Sequence, residues 1–410
     1  MRKAALFAGL ALATFGVDAG AAGRFRPAAP DYVVMRVPAR SAADPIVMLE
    51  QQRAAAPGDE RTDARLAELY LERARAERQP RYFARAEAIL QPWLTPGLTR
   101  GLTRADVSAT VLRVQADILQ NRHEFGAALM LLDRAVARDP RDTGARLMRA
   151  SVKLVQGEAR QARPDCAAVL AAGESAVGTI CLAQVLGATG SLARAESVLS
   201  ALSARELAGP QAPNTSAATG TSPASTSPQF VRAWMLWLLA DFADRAGHPA
   251  DAESRLRAAF AAAPENEGIR SALCDLLDAR GAHGESAALA DVAMPSVGLL
   301  ARRARAQASL KDPAFADTRA QIDELLTLSR RRGELPHLRE EALIALEIDR
   351  DPQRALALAR SNFQSQRETI DVRLLLRAAR ACNDSAALVE LTRWLQKTGY
   401  EDRALDGSLT

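Results

Sequence analysis

Apolar residues recur at helical spacing in short stretches along this chain, and turns of Gly, Asp, His or Pro separate the stretches. The stretches form pairs. A small residue on the first helix of a pair is followed twelve positions later by another on the second: Ala116 and Ala128, Ala150 and Ala162, Ala183 and Ala195, Ala240 and Ala252, Cys274 and Ser286. Matched small residues let two antiparallel helices pack without a gap. Successive first members lie 34, 33 and 34 residues apart, from 116 to 150, 150 to 183 and 240 to 274. In two pairs a large apolar residue follows (Leu132, Leu256), then another alanine (Ala135, Ala259). The second helix then stops at Pro140 or Pro264, since proline cannot continue a helix. A period held through successive pairs points to a stacked array.

These residues resemble the tetratricopeptide repeat. The resemblance is best over 109–140 (Leu112, Ala116, Leu119, Ala128, Leu132, Ala135, Pro140) and 233–264 (Leu236, Leu239, Ala240, Ala252, Leu256, Ala259, Pro264). In the other pairs Leu or Ala fills most of the motif's aromatic positions, and the pairs at 141–174 and 175–207 lack the proline. Weaker pairs fall at 62–93, 296–331, 335–366 and 369–397. The chain is similar to exported bacterial tetratricopeptide-repeat proteins. The resemblance implies an all-α solenoid of about nine antiparallel helix pairs, whose concave face, lined by the first helices, holds a protein or peptide partner.

Composition supports this reading. Ala, Leu and Arg supply 86, 53 and 49 of the 410 residues, and all three are strong helix formers. Aromatics are only 4%, which argues against an all-β fold. The formal net charge is +4, and acidic residues interleave with the arginines throughout. The longest basic run, Arg330-Arg331-Arg332, reads as a solvated helix C-terminus. No nucleic-acid partner is expected.

Arg2 and Lys3 precede an apolar run from Ala4 to Val17 and the small residues Ala19 to Ala22, the three parts of a secretory signal. Residues 1–21 are expected to be a signal peptide, cleaved after Ala21 or Ala22, and the protein to be periplasmic. No later segment reaches about 18 uninterrupted apolar residues, so the mature chain is not expected to span a membrane. Residues 22–44 are expected to be a disordered N-terminus. N-terminal repeats follow over 45–207, a low-complexity insertion over 208–229, C-terminal repeats over 230–398 and a tail over 399–410. The insertion is rich in Pro, Ser, Thr and Ala and has no apolar face. Ala183 to Ala240 is 57 residues, one repeat plus about 23, so the insertion falls between two pairs. It either links two solenoid halves or is a loop on a continuous solenoid.

Catalytic constellations are absent from the pattern. His123, His248, His283 and His337 lack ligand spacing, and no nucleophile elbow or phosphate-binding glycine loop occurs. No catalytic residue, metal or cofactor is expected, and the chain is not expected to be an enzyme. Cys166 and Cys181 fall on the second helix of one pair and the first helix of the next. In an oxidising compartment they can form a disulfide; otherwise they are two buried thiols. Cys274 reads as a buried apolar residue. The candidate groove residues are Trp234, Trp237, Asp241 and Asp244, followed by Arg245. Earlier equivalents are Arg113, Asp117, Gln120 and Asn121, then Leu147 with Ser151 and Ile180 with Gln184. The two tryptophans share a helix face and serve either as binding anchors or as packing against a neighbouring repeat. A protein-interaction scaffold or adaptor is therefore expected. The alternative is an accessory protein to an envelope enzyme or transporter, handling a metal or small ligand.

Overall fold

The computed structural model describes residues 44–77, 79, 81–94, 107–208 and 227–406. The expected signal segment lies outside these residues, as do the expected disordered N-terminus except Asp44 and most of the insertion. Helix α1 (Pro45–Ala55) stands first, capped by the Asp44 carboxylate, which accepts from the Ile46 amide at 3.0 Å. Nine antiparallel hairpins follow among the described residues. They are α2 (Glu60–Glu77) with α3 (Arg81–Leu94), α4 (Ala109–Asn121) with α5 (Phe125–Arg138), and α6 (Thr143–Val155) with α7 (Ala159–Ala171). Next come α8 (Ser175–Gly187) with α9 (Leu192–Ala208), α10 (Pro228–Arg245) with α11 (Pro249–Ala262), and α12 (Glu267–Ala279) with α13 (His283–Ala290). The last three are α14 (Val297–Leu310) with α15 (Phe315–Arg331), α16 (Leu338–Leu343) with α17 (Pro352–Phe363), and α18 (Thr369–Ala381) with α19 (Ser385–Thr398). A π-helical segment (Ile344–Ile348) extends α16, and a short 3-10 turn (Arg403–Leu405) closes the described chain. The described residues contain no strand.

Local chemistry sets the helix starts. The side chains of Ser108, Asp142, Ser227, Asn266, Ser296, Asp351 and Asp384 each accept an amide at a helix N-terminus. Pro228, Pro249 and Pro352 occupy first-turn positions, where the missing N–H is no loss. The pair Ser227-Pro228 therefore starts α10 inside the expected insertion, and residues 227–229 belong to the repeat.

The turn inside each hairpin from α4–α5 onward carries one residue with positive φ: His123, Gly157, Gly190, Gly247, Gly281, Lys311, Arg350 and Asn383. The next amide reaches back five residues to the first helix, as in Glu124 N to Leu119 O at 2.9 Å and Asp384 N to Ala379 O at 2.9 Å. This left-handed cap satisfies carbonyls that the helix end would otherwise leave open. After α16 the reach is six residues, Asp351 N to Ala345 O at 2.8 Å, because the π-helical segment holds one extra residue.

The small pairs sit where the hairpins close. Ala116, Ala128, Ala150, Ala162, Ala183, Ala195, Ala252, Cys274 and Ser286 are all 0% exposed and Ala240 is 1% exposed. Cys274 and Ser286 also meet by a hydrogen bond, Ser286 Oγ to Cys274 O at 3.3 Å. Helices α8, α9 and α10 share one apolar cluster that includes Ile180, Leu199, Met235 and Phe242. The hairpins on either side of the insertion thus stack directly. The expected tail is ordered and packed as far as residue 406: Asp402 and Leu405 are buried, at 5% and 4% exposure.

Candidate functional site

Two of the candidate residues on α4, Arg113 and Asp117, join it to neighbouring first helices. Arg113 pairs with Glu68 on α2 and lies 3.4 Å from the Asp142 carboxylate ahead of α6. Asp117 accepts from Arg75 on α2 at 2.5 Å. Asn121 Nδ2 donates to the Asp117 carbonyl at 2.7 Å. Gln120 turns its amide oxygen into a buried position with no partner. Between the second helix α7 and its own first helix α6, Asp165 is 1% exposed and accepts from Arg149 at 2.5 and 2.8 Å. Arg146 and Lys153 also donate to it, at 3.3 and 3.4 Å.

Trp234 and Trp237 are both half-buried and look in opposite directions along the stack. Trp234 packs back against clusters holding Cys181, Val185, Ile180 and Leu199. Trp237 packs forward against Ile269 and Leu273 of α12, and its ring lies 3.0 Å from where a Cβ on Gly268 would stand. Both rings therefore fill inter-repeat contacts and keep one edge exposed. Ile180, expected on the groove, is 0% exposed. The position three before a small residue lies only about 60° around the helix from it, at the border of the core, so Ile180 is buried there whereas Leu147 and Trp237 at the same position stay half-buried.

Asp241, Asp244 and Arg245 meet the chain's own last hairpin. Thr369 Oγ1 donates to Asp241 at 2.6 Å and lies 2.7 Å from the Tyr400 hydroxyl. Arg373 bridges Asp244 (2.5 Å) and Asp402 (2.8 and 2.9 Å). Arg245 is 3% exposed. It donates to Gly187 O at 2.6 Å, Glu401 O at 2.9 Å and Asp241 at 3.2 Å, and its guanidinium stacks 4.0 Å from the Tyr400 ring centre. Farther along, the Arg367 amide donates to Val155 O at 2.7 Å and its side chain to Gln156 O at 2.6 Å. Arg160 on α7 caps the end of α19, donating to Lys397 O at 2.8 Å. The expected groove residues of α10 are thus occupied from within the chain.

Burial pushes the Asp244 carboxyl above the usual carboxylate range, and Arg373 only partly offsets this. Burial likewise pushes the Tyr400 hydroxyl up and the Arg367 guanidinium down. Burial also opposes the Arg245 charge, but Tyr400 and Asp241 outweigh it and hold the guanidinium above its ordinary value. Sequence reasoning missed this contact, because its partners stand up to 238 residues apart. One local signal existed. Left-handed turn positions elsewhere are held by His123, Lys311, Arg350, Asn383 and Gly281, whereas all three that face the last hairpin, Gly157, Gly190 and Gly247, are glycines. A Cβ at these positions would meet Arg367 at 2.9 Å, Gly399 O at 3.0 Å and Arg403 at 3.1 Å.

Cys166 and Cys181 form a disulfide that joins α7 to α8, with Cα atoms 5.4 Å apart. Cys274 is a buried free thiol, and Cys382 is a half-buried one. Burial pushes the Cys274 thiol up to about 11. His123 occupies a within-hairpin turn, His248 stands just before α11 without a side-chain cap bond, and His283 begins α13, where its Nδ1 lies 3.0 Å from Asp278. Among the described residues no group of three or more His, Cys, Asp and Glu is placed to hold a metal ion. No described helix is long and apolar enough to cross a membrane.

The hairpin period, the buried small pairs and the first-helix to first-helix contacts define a tetratricopeptide-like helical-repeat fold. No known family profile matches the sequence, and no curated protein matches it. Among solved structures, a thermophilic TPR protein of Thermus thermophilus aligns at 20% identity over 54% of this chain and 100% of its own, with a TM-score of 0.37. A tetratricopeptide repeat protein of Parabacteroides merdae aligns at 12% identity over 76% and 98% of the two chains, with a TM-score of 0.36. The human IFIT1 dimer with PPP-AAAA aligns at 11% identity over 87% and 83%, with a TM-score of 0.42. The repeat described above stands independently of these superpositions.

Proposed function

We propose that this protein is a non-enzymatic scaffold or adaptor that holds a protein or peptide partner on the first-helix face of its stack, and that it acts in the bacterial periplasm after export. The observation that carries the reading is the stack of nine hairpins among the described residues, which spreads a long surface across successive first helices. That surface mixes ion-paired residues such as Arg113 and Asp117 with half-buried Leu147, Ser151 and Gln184.

A photo-crosslinking side chain placed at Ser151 or Gln184, followed by mass spectrometry of envelope fractions, tests the face directly. The same partner is expected from both sites and not from Met130 on second helix α5, which is 65% exposed. Equal capture from Met130, or none from either first-helix site, rejects the assignment. Sequencing the mature N-terminus tests the address: Ala22 or Gly23 is expected, and an intact Met1 rejects export.

A further inference from the structure

The contact between the last hairpin and the middle of the stack is largely polar, unlike the contacts between successive hairpins from α2–α3 to α12–α13, which share apolar clusters. Apolar clusters run from Ile46 to Leu289 on one side and from Val297 to Leu405 on the other, and among the described residues none of them spans this seam. The seam is held mainly by guanidinium, carboxylate, hydroxyl and backbone groups, with Arg245 stacked on Tyr400 and the Trp394 ring against Gly157 as its ring contacts. Several of these charges are partly or fully desolvated. Burial raises the Asp244 carboxyl, and Arg367 Nε is buried without a partner. Desolvation offsets much of what such pairs contribute, so a polar seam holds less tightly than its bond list suggests. Gly157, Gly190 and Gly247 leave out the Cβ atoms that would otherwise meet the Arg367 and Trp394 side chains, the Gly399 backbone and the Arg403 side chain.

The seam covers Asp241 and Asp244, and it shows the chemistry those residues accept. On α18 a hydroxyl and a guanidinium one helical turn apart, Thr369 and Arg373, meet two carboxylates three residues apart on α10. We propose that the seam is a latch. It opens as a unit while every hairpin stays folded, and opening frees Asp241 and Asp244 for a cationic helical segment of a partner. The partner clause rests on the scaffold reading above; the opening clause does not.

Amide exchange on the full chain, resolved by NMR, tests the latch. The Arg367 amide donates across the seam to Val155 O at 2.7 Å and reports closure. The amide of Leu391, buried inside α19, reports the folded hairpin. Arg373→Ala is expected to speed Arg367 exchange at least about tenfold and leave Leu391 unchanged. Raising salt from about 0.05 to about 0.5 M is expected to act on the wild type in the same direction. If Arg373→Ala disturbs folding, Arg373→Lys and the wild-type salt series decide. Exchange of Arg367 only together with Leu391, by global unfolding, overturns the latch. For the partner clause, the probe is a synthetic copy of α18 added to the wild type. It is expected to speed Arg367 exchange, and its Arg373→Ala version is not. Equal effects, or none, overturn that clause alone. No cellular partner is present in either assay, so failure here stays distinct from failure of the scaffold reading.

Discussion

Reducing the Cys166–Cys181 bond tests how successive hairpins are held together. The bond links the second helix of one hairpin to the first helix of the next, across 15 residues. Both cysteines lie in one buried cluster with Ala150, Ala162 and Val185. Reduction removes no side-chain volume, and the two thiols remain small apolar groups, so native packing changes little. The loss falls mainly on the unfolded state, where loop-closure entropy for about 15 residues is worth about 3 kcal/mol. Because each repeat contacts mainly its neighbours, the loss is local to the α7–α8 interface and should broaden or split the unfolding transition. The assay is urea unfolding followed by circular dichroism, with and without reductant and with Cys166→Ala/Cys181→Ala. Thiol titration in denaturant without reductant should find two free cysteines, Cys274 and Cys382. Four would reject the bond. A change below about 0.5 kcal/mol after verified reduction would refute the entropy argument.

Other consequences can be checked separately. Cys274 has its thiol raised from an ordinary 9.0 to about 11 by burial. The folded state therefore holds this proton more tightly than the unfolded state. Its contribution is intact below pH 9.0 and is lost as pH rises toward about 11, a fall of about 2–3 kcal/mol that Cys274→Ala should remove from a denaturation series. Ala150→Leu overfills a fully buried hairpin contact and should cost about 1–3 kcal/mol in thermal or urea melts. Ala137→Leu on the exposed side of α5 should stay within about 0.5 kcal/mol. Trp237→Ala loses packing against α12 and should lower stability by about 2 kcal/mol while far-ultraviolet helicity at 25 °C is kept. Unchanged stability would return Trp237 to a purely surface role.

The hairpin stack was legible because its determinants are local. Pairs such as Ala150 and Ala162 mark a close approach, and Pro140 or Pro264 marks a helix stop. The α16–α17 hairpin was harder, since its π-helical segment adds a residue that shifts the period without changing composition. Ile180 shows the limit of reading a groove from spacing alone: its position borders the small residue Ala183 at the edge of the core, where Ile180 is buried and the equivalent Leu147 is half-buried. Asp241, Asp244 and Arg245 were legible as polar residues on a first helix, but not as residues already engaged. Thr369 and Arg373 carry ordinary helix-surface chemistry, and only the superhelical path of the chain brings them onto α10.

That path also makes the two termini of the array unequal. A linear stack frays from both ends, since each terminal repeat has one neighbour instead of two. Here Arg160, Arg245 and Gly190 pin residues 397–401, whereas α1 and the α2–α3 hairpin end the other side with no such return contact among the described hydrogen bonds. While the seam stays closed, loss of structure on heating should therefore start at α1; once it opens, the last hairpin becomes a second free end. During folding, contacts between residues more than 200 positions apart, such as Arg367 with Val155, must wait for every intervening hairpin to set the distance between them.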